Sequence, residues 1–501
     1  MTTPEPVPGD AVPREPAAAE RRLHPMSWLF VLLQQLKQFI LPLLVLVVFG
    51  RGDRNELWPL IGVGVLVVLS LWQYFTYRYG VAGDHLVVRS GVLERSLRVI
   101  PFARIHNVAL QQSFLHRLFG VAEVRLESAG GRKPEAEMRV LRLDDALALE
   151  ALVRRRGAAP SGEEAEPDAD TLLALPMAEV VRLGLVSNRG MIAIAAAAAA
   201  VSQGNARILP NAFETVGQWM FGYAGEHGFG IAEYAAAGLA LAVFVVAALR
   251  LLSVLLALLQ YHGFRLSELG RRLTVERGLL ARWRTSASRR RIQAWTLREG
   301  VLHRLLRRRS LEVDTAVAEE GQQQRALREI APIATPATCD ALIEHLLPRA
   351  GWSTLEWRPL PASSWWRLFL PSLPVVLAAT VALTWRFGAW GLLALAWLPW
   401  AAFKARRHAL RAAWAVNDDV IAVREGWWSR YWRFAELDKL QALELSRSPF
   451  DRRCGTATLR LDTSGAGAMA PPLRVRFLPE ADAVALYAAL SHTLARRPLR
   501  W

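Results

Sequence analysis

The sequence predicts a multi-domain membrane protein, with about six transmembrane α-helices in three hairpins and three small β-barrel or sandwich modules, each closed by a C-terminal helix. Three observations predict it. Long apolar runs come in pairs, the polar segments between the pairs share one residue pattern, and basic residues avoid the short connections inside the pairs.

The runs are residues 28–50 and 57–77, then 190 to about 203 and 231 to about 260, then 365–385 and 389–403. Trp28, Trp58, Tyr74, Trp365, Trp366 and Trp400 lie near their ends, where aromatic rings anchor at the headgroups. If the short connections face outward, only Arg51, Arg54, Arg207 and Arg386 of the 61 basic residues do so. The positive-inside rule then puts both termini and every long polar segment in the cytoplasm. Gln34, Gln35, Lys37 and Gln38 fall within the first helix and Arg250 within the fourth. An intramembrane polar group is a functional candidate, although Lys37 and Arg250 are close enough to a helix end to snorkel.

Apolar residues make up 52% of the 501 and charged residues 21%, so membrane and soluble character alternate along the chain. A net charge of +16 and a pI near 10.7 suit a nucleic-acid binder or a protein facing anionic lipid, and the position of the charge favours the membrane. Nucleic acid is not an expected partner. Cys339 and Cys454 lack CxxC or histidine spacing, which argues against a disulfide framework or a zinc site. The first 27 residues read as a disordered cytoplasmic tail without the features of a secretory signal.

The polar segments align with one another. Gly91 and Leu93 match Gly278 and Leu280, and Gly426 and Trp428; Ile105 matches Ile292 and Leu440; Leu115 and Arg117 match Leu302 and Arg304, and Phe450 and Arg452. Period-two alternation, as in residues 85–91 and 124–128, predicts short antiparallel strands. A helix ends each copy, at 144–155, 338–347 and 480–496, with Asp144 and Thr338 as expected N-caps. The expected order is tail 1–27, hairpin 28–79, module 80–156, acidic linker and amphipathic segment 157–189, hairpin 190–260, module 261–350, hairpin 351–403 and module 404–501.

The runs Arg22-Leu-His-Pro25, Ile100-Pro-Phe-Ala-Arg-Ile-His-Asn-Val108, Gln111-Gln-Ser-Phe-Leu-His-Arg-Leu-Phe-Gly120 and Ser128-Ala-Gly-Gly131 closely resemble the bacterial pleckstrin-homology-like domain. The hairpin-plus-module architecture resembles the YdbS/YdbT-type membrane proteins over nearly the whole chain. The second copy departs from the motif with Arg307 in place of the final glycine, and the third with Lys439 in place of an arginine. The resemblance implies seven-strand bent barrels that serve lipid, peptide or oligomer contacts, and a role in envelope maintenance or toxin resistance. It implies no chemistry.

No HExxH, Walker or GxSxG motif is present. His106 and His116 read as strand and turn residues, and no cofactor or metal is expected. The candidate contact residues are the recurring cations Arg104, Arg117, Arg291, Arg304, Lys439 and Arg452, with Arg307, Arg308, Arg309 and Arg453 beside them. A guanidinium fork suits phosphate or carboxylate, but a cation repeated in every copy also suits a requirement of the fold. Two functions follow. One is a non-enzymatic scaffold whose modules bind each other, a second membrane protein of this type or anionic lipid; the other is a transporter or channel component regulated by the modules.

Overall fold

A computed structural model describes residues 21–22, 24–30, 32–33, 64–65, 67–68, 71–72, 75–90, 96–128, 136–157, 170–204, 208–226, 230–315, 327–463 and 470–496. Gln34 and Lys37, with most of the first hairpin, lie outside them. The chain divides into two compact units.

The first module is built from β1 (Arg21–Arg22), β2 (Arg78–Ala82), β3 (His85–Ser90), β4 (Ser96–Pro101), β5 (Ile105–Gln112), β6 (Val121–Ser128) and β7 (Ala136–Arg142). β1 to β4 form one antiparallel ladder and β5 to β7 another. The helix Leu143–Gly157 lays Ala146, Leu149 and Val153 against Leu86, Ile100, Leu126 and Met138 of both ladders. One core therefore joins two sheets and a helix face, as the alternation of apolar residues requires.

The second module repeats the order with β8 (Asp170–Ala174), β9 (Arg265–Leu269), β10 (Arg272–Arg277), β11 (Arg282–Ser288), β12 (Ile292–Glu299), β13 (Arg309–Thr315) and β14 (Glu329–Ala334). The third has β15 (Arg358–Pro359), β16 (Ala413–Val416), β17 (Val420–Glu425), β18 (Arg430–Glu436), β19 (Leu440–Ser446), β20 (Thr456–Thr463) and β21 (Arg474–Pro479). Ile105, Ile292 and Leu440 each open the fifth strand of their module, with 4%, 4% and 5% exposure, so the spacing pattern marks one core position in three copies. No ladder closes on itself among the described residues; each module is an open four-strand and three-strand arrangement.

Two kinds of detail differ from the sequence expectation, and the first concerns caps: Asp144, expected to cap the first terminal helix, lies inside it, in Leu143–Gly157. The helix of the second module is Pro336–Leu346, capped by Thr335, whose hydroxyl accepts from the Thr338 amide at 3.1 Å. Proline fits the first helical position because it lacks the amide that would go unbonded there, which moves the cap before Thr338. The second difference concerns order. In every module the first strand precedes the hairpin: Arg22 pairs with Arg78, Ala174 with Arg265 and Pro359 with Ala413. The segment read as linker, 157–189, thus supplies β8 and the helix Met177–Val186.

By length and composition, Ala232–Tyr261 (30 residues, mean hydropathy 2.7) and Trp365–Arg411 (47 residues, mean hydropathy 1.9) can cross a membrane. Met177–Val186 and Arg189–Ser202, bent by 55°, form a third candidate if taken together. Within the 47-residue segment the chain turns at Gly388 (φ 62°), and Trp365–Phe369 packs back on Trp397–Arg411. A helix, Ile208–Glu226, occupies most of what reads as the polar connection of the second hairpin.

Candidate functional site

Each module joins its fifth and sixth strands through a short helix: Phe114–Leu118, Val301–Leu305 and Pro449–Cys454. Ser113 and Ser448 cap the first and third, accepting from the His116 and Asp451 amides at 3.4 and 3.1 Å. A left-handed residue ends each turn: Gly120 (φ 63°), Arg307 (φ 52°) and Gly455 (φ 60°). These helices carry Arg117, Arg304 and Arg452, and they expose apolar side chains beside them, including Leu118 (69%), Leu305 (78%) and Phe450 (45%).

Other side chains of the three turns are held by different contacts. In the first module, His116 is buried beneath Phe30 at the base of the first hairpin, with ring centroids 4.2 Å apart. In the second, Arg308 donates through Nε and Nη2 to both carboxylate oxygens of Glu179 at 2.9 and 2.7 Å, tying the turn to the helix Met177–Val186. In the third, Arg367, at the base of the last hairpin, forms a buried ion pair with Asp451 and donates to Thr456 Oγ1 at 2.8 Å. Burial opposes ionisation of Asp451, but hydrogen bonds from Ser448 and Arg367 outweigh it and hold the carboxyl at about 2. In every module this turn thus contacts the helical segment that follows the module's first strand.

The sequence-derived cations separate accordingly. Arg104, Arg117, Arg307, Arg452 and Arg453 are exposed. Arg291 is half-buried and held down to about 10 by burial and the charge of Arg272. Arg304 donates to the Trp428 carbonyl at 3.3 Å, and Lys439 lies 3.4 Å from Asp438. Arg309 stands 3.4 Å from Glu299, 3.6 Å from Asp340 and over the Trp432 ring at 4.8 Å. Arg308 and Arg309 therefore point to different partners while Arg307 is exposed, and the three do not converge. Arg250 donates to the carbonyls of Leu185 and Ser187, each at 3.1 Å, which satisfies acceptors left open at the end of Met177–Val186. That helix and the next approach Ile231–Tyr261 closely: a Cβ on Gly190 would lie 2.4 Å from the Leu249 carbonyl oxygen.

A second feature was not anticipated from sequence. β12 of the second module pairs antiparallel with β18 of the third, Trp295 opposite Phe434, Thr296 opposite Arg433 and Leu297 opposite Trp432. The core runs across this seam, joining Leu297 and Leu311 to Val420, Ala422 and Phe434. Beneath it Arg433, 1% exposed, donates to Thr296 Oγ1 at 2.8 Å and lies 2.7 Å from Asp314 as an ion pair. Glu299 at its end takes Arg430 at 3.2 Å and Arg309 at 3.4 Å. The available signal was Arg433 itself, a lone charge in an otherwise apolar strand interior.

Among the described residues no three metal-ligating side chains come together. Cys339 is buried, its thiol pushed up to about 12 by burial and by Asp340. The bacterial PH domain family matches residues 30–157, 217–342 and 368–494, together more than half of the chain. This chain belongs to that family. Each matched stretch of the bacterial PH domain includes part of a hairpin and omits the strand that precedes it. The chain is also 22% identical to the UPF0699 transmembrane protein YdbT of Bacillus subtilis (strain 168), over 92% of this chain and 96% of that one. No solved structure matches.

Proposed function

We propose that this bacterial PH-domain protein is a non-enzymatic scaffold of the bacterial cytoplasmic membrane, with six spans, both termini inside and barrel-like cytoplasmic modules that mediate self-association. The β12–β18 seam carries the reading. It uses a strand edge of a bacterial PH domain for sheet extension to another such domain, with a buried ion pair and continuous core beneath. The topology rests on the basic-residue asymmetry. Two differently tagged full-length copies expressed together should co-purify from gently solubilised membranes, and separate recovery would refute self-association. In the same cells the exposed Cys454 should react with an impermeant maleimide only after permeabilisation, whereas Cys introduced at Arg54 should react without it. The reverse pattern overturns the topology.

Contact with anionic lipid is a second role, favoured by the exposed apolar residues and arginines on the turn helices at the hairpin bases. Leu305→Trp in the full chain, reconstituted with brominated lipid, should show quenching additional to that of the native tryptophans. Unchanged quenching relative to wild type would place this turn away from the bilayer.

A further inference from the structure

The seam between the second and third modules joins a fifth strand to a fourth strand, so it has two unlike halves. The same two halves recur at the ends of the module series. β4, the fourth strand of the first module, ends a four-stranded ladder, and β19, the fifth strand of the third, begins a three-stranded one. Repeat spacing makes Leu443, Glu444 and Leu445 the counterparts of Trp295, Thr296 and Leu297. It makes Val99, Arg98 and Leu97 the counterparts of Phe434, Arg433 and Trp432.

Exposure separates the occupied fourth strand from the terminal one, while on β19 Leu443 and Leu445 are half-buried against their own core. Leu297, Phe434 and Trp432 are 0%, 0% and 9% exposed, whereas Leu97 and Val99 are 54% and 46% exposed. Glu444 is exposed too, 3.6 Å from Arg460. An apolar edge strand is a template for another strand. Transferring the observed register sets Leu443 opposite Val99, Leu445 opposite Leu97, and the carboxylate of Glu444 opposite the guanidinium of Arg98. Apolar residues meet apolar residues, and the central pair is of opposite charge.

We propose that β19 of one chain pairs antiparallel with β4 of a second copy, reproducing the internal β12–β18 seam between molecules. This rests on the self-association reading and names its surface and partner. Because the two halves differ, the contact is heterologous: it propagates from copy to copy, and closes only if the rotation per step permits a ring.

The test uses full-length chains, all Cys454→Ser, in native membranes from cells expressing two differently tagged copies. One copy carries Leu443→Cys, Glu444→Cys or Leu445→Cys, and the other Val99→Cys, Arg98→Cys or Leu97→Cys respectively. Oxidation with copper phenanthroline should give a mixed dimer bearing both tags for in-register pairs, several-fold above the off-register pair Leu443→Cys with Leu97→Cys. Glu444→Arg should reduce co-purification of tagged copies, and Arg98→Glu added to the same chain should restore it. If copies co-purify but no in-register pair cross-links, self-association stands and this seam is refuted. If they do not co-purify, both fall. A disulfide formed only within single chains carrying both Leu443→Cys and Val99→Cys also refutes pairing between copies.

Discussion

Arg307 occupies a left-handed backbone position (φ 52°) that the first and third modules give to Gly120 and Gly455. A Cβ there costs about 1–2 kcal/mol, partly offset because glycine loses about 0.5–1 kcal/mol more conformational entropy on folding. Its side chain is exposed and makes no ion pair among the described residues. Arg307→Gly should therefore stabilise the second module by roughly 0.5–1 kcal/mol, read as a rise in the melting temperature of the detergent-solubilised protein; a fall would show that the guanidinium holds the turn. Glu425 is a residue of the opposite kind. Burial raises its pKa, but hydrogen bonds from His408, Arg476 and Tyr431 overcome this and leave the carboxyl at about 2, against 4.5 ordinarily. Since the folded value is the lower one, the stabilisation is complete above about 4.5 and is lost as pH falls toward 2, amounting to about 3 kcal/mol. Glu425→Gln should be less stable at neutral pH and should flatten that acid limb in a thermal-shift series from pH 6 to 2.5. An unchanged slope would show that other carboxylates govern acid unfolding.

At the scale of elements, the seam is the most exacting junction. Removing Asp314 leaves Arg433 buried without its counter-charge, which costs about 3–5 kcal/mol, whereas replacing both by apolar residues of similar volume is near neutral. Asp314→Ala should thus destabilise strongly in thermal unfolding of the full chain, and Asp314→Leu with Arg433→Met should recover most of the loss. If the double variant is as unstable as the single one, packing rather than charge holds the seam. The strands, terminal helices and module equivalence were legible because alternation and fixed spacing are local signals: Ile105, Ile292 and Leu440 are one core position, as their offsets implied. The seam was not, because the pairing of β12 with β18 joins residues far apart in sequence and leaves no periodic trace. Among the candidate cations, residue type identified guanidinium forks but not their partners. Arg308 binds Glu179 and Arg250 caps helix carbonyls, and both partners lie on a segment that read as linker.

Over the whole molecule, one seven-strand module repeats three times, and the copies differ in the charges they pair. Arg277 in the second module becomes Glu425 in the third, and the partner on the last strand changes sign with it, from Glu329 to Arg476. The second and third modules therefore keep the ion pair while exchanging its polarity. The placement of the hairpin inside each module, between its first and second strands, has a consequence for synthesis. β8 leaves the ribosome before the second hairpin, but its partner β9 follows only after it, so Ala174 meets Arg265 across the intervening membrane segment. The first ladder of the module cannot be completed until that whole segment has been made, and the wait belongs to contacts of long sequence separation, which form slowly. Bilayer integration and domain maturation are thereby coupled in time, and a segment cut at 261–350 begins its folding one strand short.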